Sequence, residues 1–407
     1  MNREKSNWIS LFAANFIGIL NDNFLKNSII FIGVTWAMPS WLNLSQLTTL
    51  VAAGLVIPYL IFSPLSGRIA VNYTKQATFR WCKIAEFPIV LIACFAFWKE
   101  WIGVALVSVF LMGVQSCLYS PAKYGLIRDI GGEEGIPFGS GMLETMAFLG
   151  ILTGTVVASF MADHSPISMV CASSLLFALI GYLLAKNIKV KELPIEPSIN
   201  NSINPIRFLK QSYLFAKHYP GVNMVVFGIS MFWLMGGMLQ MNIIIHCKQA
   251  LCISSAGTGV VMAVAATGIA SGCLFAGKIA KRGGNRRTIF TGLGLMMLFL
   301  SLILLLRPGT YLFASLIFLF SFAGGLFEVP CLSMIQQIDV GRKIGDMLAY
   351  MNFVTFIFIL VGSFIFWLIT YITHENSMTV FATLLFLCAF TLIVMVVHRS
   401  LNTISLS

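Results

Sequence analysis

Charged and amide side chains stand inside the first apolar stretch of the chain, where few are expected. Asp22 and Lys26 are four residues apart, so on a helix they share one face, and Asn21, Asn23 and Asn27 surround them. Two interpretations are open. The pair lines a cavity and contacts a polar or zwitterionic substrate group, or it is an intrahelical pair that only neutralises itself. The asparagines favour the cavity, because a self-satisfied pair has no need of them.

Three further carboxylates lie in apolar stretches, Glu86, Glu144 and Glu328. A charge at the bilayer centre costs about 2.5–3.5 kcal/mol on insertion scales, so each is a functional candidate. Glu86 or Glu328 could carry a proton if buried, and Glu328 precedes Pro330, where a broken helix would free carbonyls beside a cavity. Glu144 either belongs to a gate or site, for example by pairing with Lys123, or lies passively at the interface.

Membrane-spanning helices must position these side chains. The 407 residues are 58% apolar and only 10% charged, against roughly 25% charged in soluble proteins. A crossing helix takes about 20 apolar residues. The uniformly apolar runs, which lack the alternation of barrel strands, predict an all-α polytopic membrane protein with twelve spans, near Trp8–Ile32, Leu47–Leu65, Ala77–Phe97, Trp101–Ser120, Phe138–Met161, Ile167–Ala185, Val222–Ile245, Gly257–Ala280, Thr288–Leu306, Tyr311–Ile335, Met347–Tyr371 and Met378–Val397.

The basic residues predict the orientation of these spans. Loops alternate between rich and poor in Lys and Arg, and the rich set includes both termini and residues 67–83, 123–134 and 278–287. By the positive-inside rule, both termini are cytoplasmic. The net charge of +11 is therefore an orientation signal, and nucleic acid is excluded as a partner.

One long polar stretch, KVKELPIEPSINNSINP, divides the chain into two six-helix halves. We predict bundles over residues 1–186 and 221–407, joined by a cytoplasmic linker over 187–220. From Pro205 the linker either forms an amphipathic helix with Ile206, Leu209, Tyr213 and Phe215 on its apolar side, or is solvated with incidental aromatics.

The two halves repeat a short motif, because the sequence that begins Gly67-Arg-Ile-Ala returns 210 residues later as Gly277-Lys-Ile-Ala. Repeats of this kind build transporters that rock one half against the other around a central site. The 6+6 arrangement with these loops resembles the major facilitator superfamily, which implies a non-ATP secondary transporter that works by alternating access. In the first loop, Val71 occupies a position where the superfamily usually has Asp, which places charge-relay gating by that loop in question.

Three motifs in the first 160 residues narrow the resemblance. Residues 21–27 (NDNFLKN) are similar to the span-one signature of the lysophospholipid transporter (LplT) family, and residues 120–125 (SPAKYG) to its most distinctive motif. Gly141-Met-Leu-Glu-Thr, followed by Gly150 and Gly154, resembles its span-five pattern. The resemblance implies movement of lysophospholipids, chiefly lysophosphatidylethanolamine, from the outer to the inner leaflet of a bacterial inner membrane, with reacylation by a cytoplasmic acyltransferase partner.

The head group of such a substrate needs one cation and one anion. Lys26 or Lys123 would hold the phosphate as point charges, and Asp22 or Glu144 would hold the ammonium. Asn23, Asn27 and Tyr124 belong to the same motifs and complete the substrate-binding or gating set in the first half.

In span seven the candidates are Trp233 and Gln240, and Gln240 stands nearest the place where LplT relatives tend to carry a basic residue. Cys247 and Cys252 lie on a predicted non-cytoplasmic loop beside His246. There they form a disulfide, stay reduced or bind a metal, and these alternatives are open.

Motifs for nucleotide binding, zinc proteases and hydrolase nucleophiles are not found in the sequence. We therefore expect a monomeric transporter without cofactor or metal, and not an enzyme. The alternative to lysophospholipid transport is proton-coupled export of a small amphipathic compound, drug or siderophore. A third interpretation is a non-transporting membrane receptor or assembly factor. The charged residues inside the apolar stretches of the first half argue against it.

Overall fold

The computed structural model describes residues 3–33, 35–36, 44–192, 194, 204–374 and 376–397. Every regular element in these ranges is helical, as predicted. The helices are α1 (Arg3–Gly33), α2 (Leu44–Asn72), α3 (Lys75–Lys99), α4 (Ile102–His164), α5 (Ile167–Asn187), α6 (Pro205–Lys217), α7 (Val222–Gln249), α8 (Ser255–Gly283), α9 (Asn285–Leu306), α10 (Thr310–Gln336), a short 3-10 helix (Gly341–Lys343), α11 (Ile344–Ile372) and α12 (Ser377–Val397).

The predicted membrane spans are found as helices. Among the described residues, ten helices are long and apolar enough to cross a bilayer. One of them, α4, contains two predicted spans on either side of Gly132, whose backbone leaves the helical region (φ 61°, ψ −164°). The polar motif of α1 keeps that helix outside the set of ten, although it is 31 residues long.

The connection between spans four and five, predicted as a loop over residues 123–134, is shorter than predicted: it is a kink at Gly132 between two helical stretches of α4. The chain stays helical through Pro121, although proline cannot donate a hydrogen bond to the carbonyl four residues earlier. That carbonyl belongs to Cys117, and it accepts a hydrogen bond of 2.7 Å from the Ser66 hydroxyl. A side chain of α2 thus satisfies the group that proline frees, which lets α4 continue at low cost.

The chain forms two compact units. Unit 1 comprises Met1–Gly135, Leu149–Ser212 and Asp339–Asn352, and unit 2 comprises Ile136–Phe148, Tyr213–Ile338 and Phe353–Ser407. In unit 1, α5 packs on α1 and α3 around an apolar core that includes Phe24, Phe97 and Met112. In unit 2, α10 packs on α8 and α9, and α12 on α7 and α9. The predicted division at residues 186 and 221 stays a prediction.

The linker contains a helix, α6, with a different buried face from the one predicted. Phe208, Ser212 and Ala216 are buried at intervals of four residues, whereas Ile206 and Tyr213 are exposed. Most of the polar part of the linker, residues 193 and 195–203, lies outside the described residues.

Glu192, just after α5, ties one end of unit 1 together. Its carboxylate accepts hydrogen bonds from the first backbone N–H groups of α3, those of Lys75 (2.6 Å) and Gln76 (2.9 Å). It also forms a 2.7 Å ion pair with Arg342, a fully buried side chain that donates to the carbonyl oxygen of Val71. Position 71 carries Val and not Asp, so in unit 1 Arg342 is bound by the Val71 carbonyl oxygen and by the Glu192 carboxylate.

Replacement of Glu192 by Gln is expected to lower the free energy of unfolding by about 1.5–3 kcal/mol, the range for hydrogen bonds to charged groups. Thermal unfolding of the purified protein measures the loss. Glu133→Gln is the matched control, because Glu133 pairs with Arg128 while two thirds exposed and such pairs contribute little. Equal stability of the two variants would contradict the role of Glu192.

Candidate functional site

The first polar side chain of the α1 motif, Asn21, joins three helices of unit 1. Its amide nitrogen donates to Glu86 Oε1 on α3 (2.6 Å), and its amide oxygen accepts from the Ser174 hydroxyl on α5 (2.7 Å). All three side chains are buried. Asn21 therefore links α1 to α3 and α5 by interhelical hydrogen bonds, which satisfy its polar atoms where water is absent.

The sequence suggested that Glu86 stands alone, but in the structure it pairs with a buried lysine. Lys83 Nζ lies 2.8 Å from Glu86 Oε2 and 5.5 Å from the centre of the Tyr119 ring. Gly18 of α1 makes room for this lysine, because a Cβ at that position would overlap with Nζ. The sequence predicts Lys83 as one of the basic residues of a loop, and this is wrong, because Lys83 is buried on α3. The spacing of three residues between Lys83 and Glu86 was the signal that could have revealed the pair.

Asp22 and Lys26 do not pair with each other, although their spacing allows it. Asp22 accepts a hydrogen bond of 2.9 Å from the Ser116 hydroxyl on α4, and Lys26 donates one of 2.8 Å to Asn23 Oδ1. Both side chains are half-buried. Asp22 and Lys26 are therefore each hydrogen-bonded to a neutral side chain.

The remaining asparagines of the motif bond along α1 and to the second part of α4. Asn23 and Asn27 each donate to the carbonyl four residues earlier, at 2.9 and 2.8 Å. The Asn27 amide also lies 3.0 Å from the Thr155 hydroxyl. Gly154, beside it, lets the two backbones approach, because a Cβ there would fall on the carbonyl oxygen of Leu20.

Lys123 lies inside the helix α4 and is about nine-tenths buried. Its ammonium donates to Asn15 Oδ1 of α1 (3.3 Å) and lies 4.8 Å from the centre of the Tyr124 ring. It also lies 5.6 Å from the centre of the Tyr119 ring, the ring that Lys83 approaches to 5.5 Å. The motif at residues 120–125 thus places a cation among aromatic faces, where cation–π attraction compensates part of its desolvation.

Four charged side chains therefore meet in unit 1, Asp22, Lys83, Glu86 and Lys123, which we call the charge cluster. The charges of the other three all act on Asp22. The cluster contains two cations and two anions, and within it Lys83 and Glu86 form an ion pair. Such an arrangement can receive a ligand that carries both charges.

Unit 2 holds two buried carboxyl groups, Glu144 on α4 and Glu328 on α10. Glu328 is under the electrostatic influence of Glu144, hydrogen-bonds to the Trp233 side chain, and lies 4.0 Å from Cys273 Sγ. Trp233 stacks on Phe148, with ring centres 5.9 Å apart. Within the ranges described, no cation contacts Glu328. This carboxyl pair, from positions 184 residues apart, is a grouping that the sequence did not predict.

The remaining candidates from the sequence, Gln240, Cys247 and Cys252, lie on α7 or just after it. Gln240 is exposed on α7. Cys247 is buried and Cys252 exposed, and the structure has no disulfide between them; the redox state of the two thiols stays a prediction. In the part of the chain that the structure describes, no group of three His, Cys, Asp or Glu side chains could hold a metal ion.

The sequence model described as the Major Facilitator Superfamily matches residues 11–363. The lysophospholipid transporter LplT of Enterobacter sp. (strain 638) is 25% identical over 337 residues, 80% of this chain and 79% of the relative. The LplT of Pectobacterium carotovorum subsp. carotovorum is 26% identical, over 80% of this chain and 76% of the relative.

Solved structures share the fold at low sequence identity. A bacterial homologue of the iron transporter ferroportin has a TM-score of 0.72 and 14% identity, covering 98% of this chain and all of its own. The human organic anion transporter MFSD10 has a TM-score of 0.75, 14% identity and coverage of 97% and 99%. These proteins bear different substrates in their names, so they support the fold alone.

Proposed function

Because the chain belongs to the Major Facilitator Superfamily, we propose that it translocates lysophospholipids of the lysophosphatidylethanolamine type from the outer to the inner leaflet. The chain is a secondary transporter of the bacterial inner membrane and not an enzyme. Relatives named LplT, similar along four fifths of the chain, support this substrate class.

The observation that carries the proposal is that neither Asp22 nor Lys26 forms an ion pair with another described residue. Opposite charges one helical turn apart would normally attract, yet each is bound here to a neutral side chain. The carboxylate is thus available to an ammonium group and the ammonium to a phosphate. A zwitterionic head group presents both, and each contact would be a charge-assisted hydrogen bond.

Two other features fit the same substrate. Lys123 adds a second cation near the Asp22 carboxylate and would share the phosphate as a point charge. The single acyl tail needs no polar cavity, since apolar walls or lipid can accommodate it. Reacylation of the delivered lipid would fall to a separate cytoplasmic acyltransferase.

Uptake of labelled lysophosphatidylethanolamine into vesicles tests the proposal. Asp22→Asn and Lys26→Gln are each expected to lower the initial rate about 10- to 100-fold, because each removes one charge-assisted contact. Asp163→Asn and Lys248→Gln are matched controls, since both side chains are exposed at helix ends, and we expect them to transport normally. No saturable uptake by the folded native chain would overturn the lipid assignment.

A second function, proton-coupled export of an amphipathic compound, is favoured by the carboxyl pair of unit 2. A buried carboxyl group without a cation is costly as an anion, so Glu328 would hold a proton in one step and release it in another. An uncoupler separates the two functions in the same assay. Lipid transport should survive it and tolerate Glu328→Gln, whereas proton-coupled transport should stop under both changes.

A further inference from the structure

An open groove on unit 1 runs between α2, α3 and α4, with a volume of about 870 Å³. Its walls are almost wholly apolar and include Leu65, Ile89, Ile92, Leu111 and Leu118. Along α3 the lining extends from Ala77 to Ile92, which corresponds to about 22 Å of helix. One leaflet of the hydrocarbon core is about 15 Å thick, so the groove is long enough for an acyl chain that starts at one interface.

The polar groups of the groove are gathered at one end, near the turn that joins α2 to α3. Arg68 and Asn72, which line it there, have no hydrogen-bond or ion-pair partner among the described residues. The Thr78 side chain, 5% exposed, has a hydroxyl that makes no hydrogen bond to any described residue. Buried hydroxyl groups are nearly always satisfied, so this end of the groove lacks a polar partner.

The aromatic side chains mark the same end. Tyr73 and Trp81 line the groove and are 62% and 68% exposed. Large exposed rings with polar atoms are typical of the level of the lipid head groups. The end is also the one that the basic loop at residues 67–83 assigns to the cytoplasmic side.

We propose that this groove is a binding site for a phospholipid of the cytoplasmic leaflet, with its phosphate on Arg68 and one acyl chain along the apolar walls. The guanidinium donates to phosphate oxygens in fork geometry, and Asn72 and Thr78 supply neutral donors. The site is distinct from the charge cluster and does not depend on which substrate is transported. It makes the membrane lipid a ligand of unit 1 in its own right.

Native mass spectrometry of the full-length protein in detergent tests the site. Palmitoyl-oleoyl-phosphatidylglycerol is titrated against the native chain and Arg68→Gln, with a diacylglycerol of the same chains as the phosphate-free probe. We expect Arg68→Gln to weaken phosphatidylglycerol binding about tenfold and to leave diacylglycerol unchanged. Arg68→Lys should restore binding only in part, because an ammonium supplies the charge without the fork geometry. Arg207→Gln, on exposed Arg207 of α6, is the matched charge control and should bind normally.

A second variant tests the tail half of the site. Ala85 lines the groove, and Ala85→Trp is expected to block it and to weaken both probes at least fivefold. Leu91→Trp places the same ring on an exposed position of α3 outside the lining and should have no effect. Native-like binding by Arg68→Gln, or by Ala85→Trp, would overturn the proposal, and equal loss in the control variants would assign the bound lipid to the general surface.

Discussion

Replacement of Lys83 by Met should lower the free energy of unfolding by about 3–5 kcal/mol, the range for a buried ion pair that loses one partner. The Glu86 carboxylate would then be left with only the Asn21 amide as its described hydrogen-bond donor. Its desolvation is no longer compensated, and the contact of α1 with α3 weakens with it. Unfolding of the purified protein in a denaturing detergent measures the change.

A double-mutant cycle separates the ion pair from the loss of a long side chain. In Lys83→Met with Glu86→Leu, both charges are gone, and we expect most of the lost stability to return, because apolar replacements of buried pairs are often neutral. Lys191→Met, on an exposed lysine, should change stability by less than about 0.5 kcal/mol. If the single and double variants are equally unstable, the pair does not hold the helices.

Replacement of Gly154 by Val should destabilise unit 1 by about 3 kcal/mol, at the upper end of the range for overpacking. The added Cβ would meet backbone on α1, namely the Leu20 carbonyl and, at 3.1 Å, the Phe24 nitrogen. Backbone cannot rotate away as a side chain does, so α1 and α4 must separate. The Asn27–Thr155 hydrogen bond should be lost as well, and uptake should fall with stability.

Gly294→Val is the matched control for this prediction. Gly294 lies within the apolar helix α9, and a Cβ there would have no neighbour within 4 Å. The two variants add the same atoms to a membrane helix and differ only in what those atoms meet. Thermal unfolding should therefore separate them clearly, and equal melting temperatures would show that α1 does not need the close approach.

What the sequence determined by itself is the class of molecule and its helices. Uniformly apolar runs of about 20 residues permit only helices in a membrane, and every predicted span lies on a helix. The motif at residues 21–27 also identified a part of α1 that makes polar contacts with other helices. Both are local properties, legible from neighbours along the chain.

Only the tertiary structure decided which polar groups bind each other. Asp22 accepts a hydrogen bond from Ser116 and does not pair with Lys26. Lys83, predicted in a loop, is buried and pairs with Glu86. Glu192 binds Arg342, which is 150 residues away in the sequence. In a medium without water a buried polar group is costly unless it finds a partner. Which partner it finds depends on helix packing, because spacing along the sequence allows both a pair that forms, Lys83–Glu86, and one that does not, Asp22–Lys26.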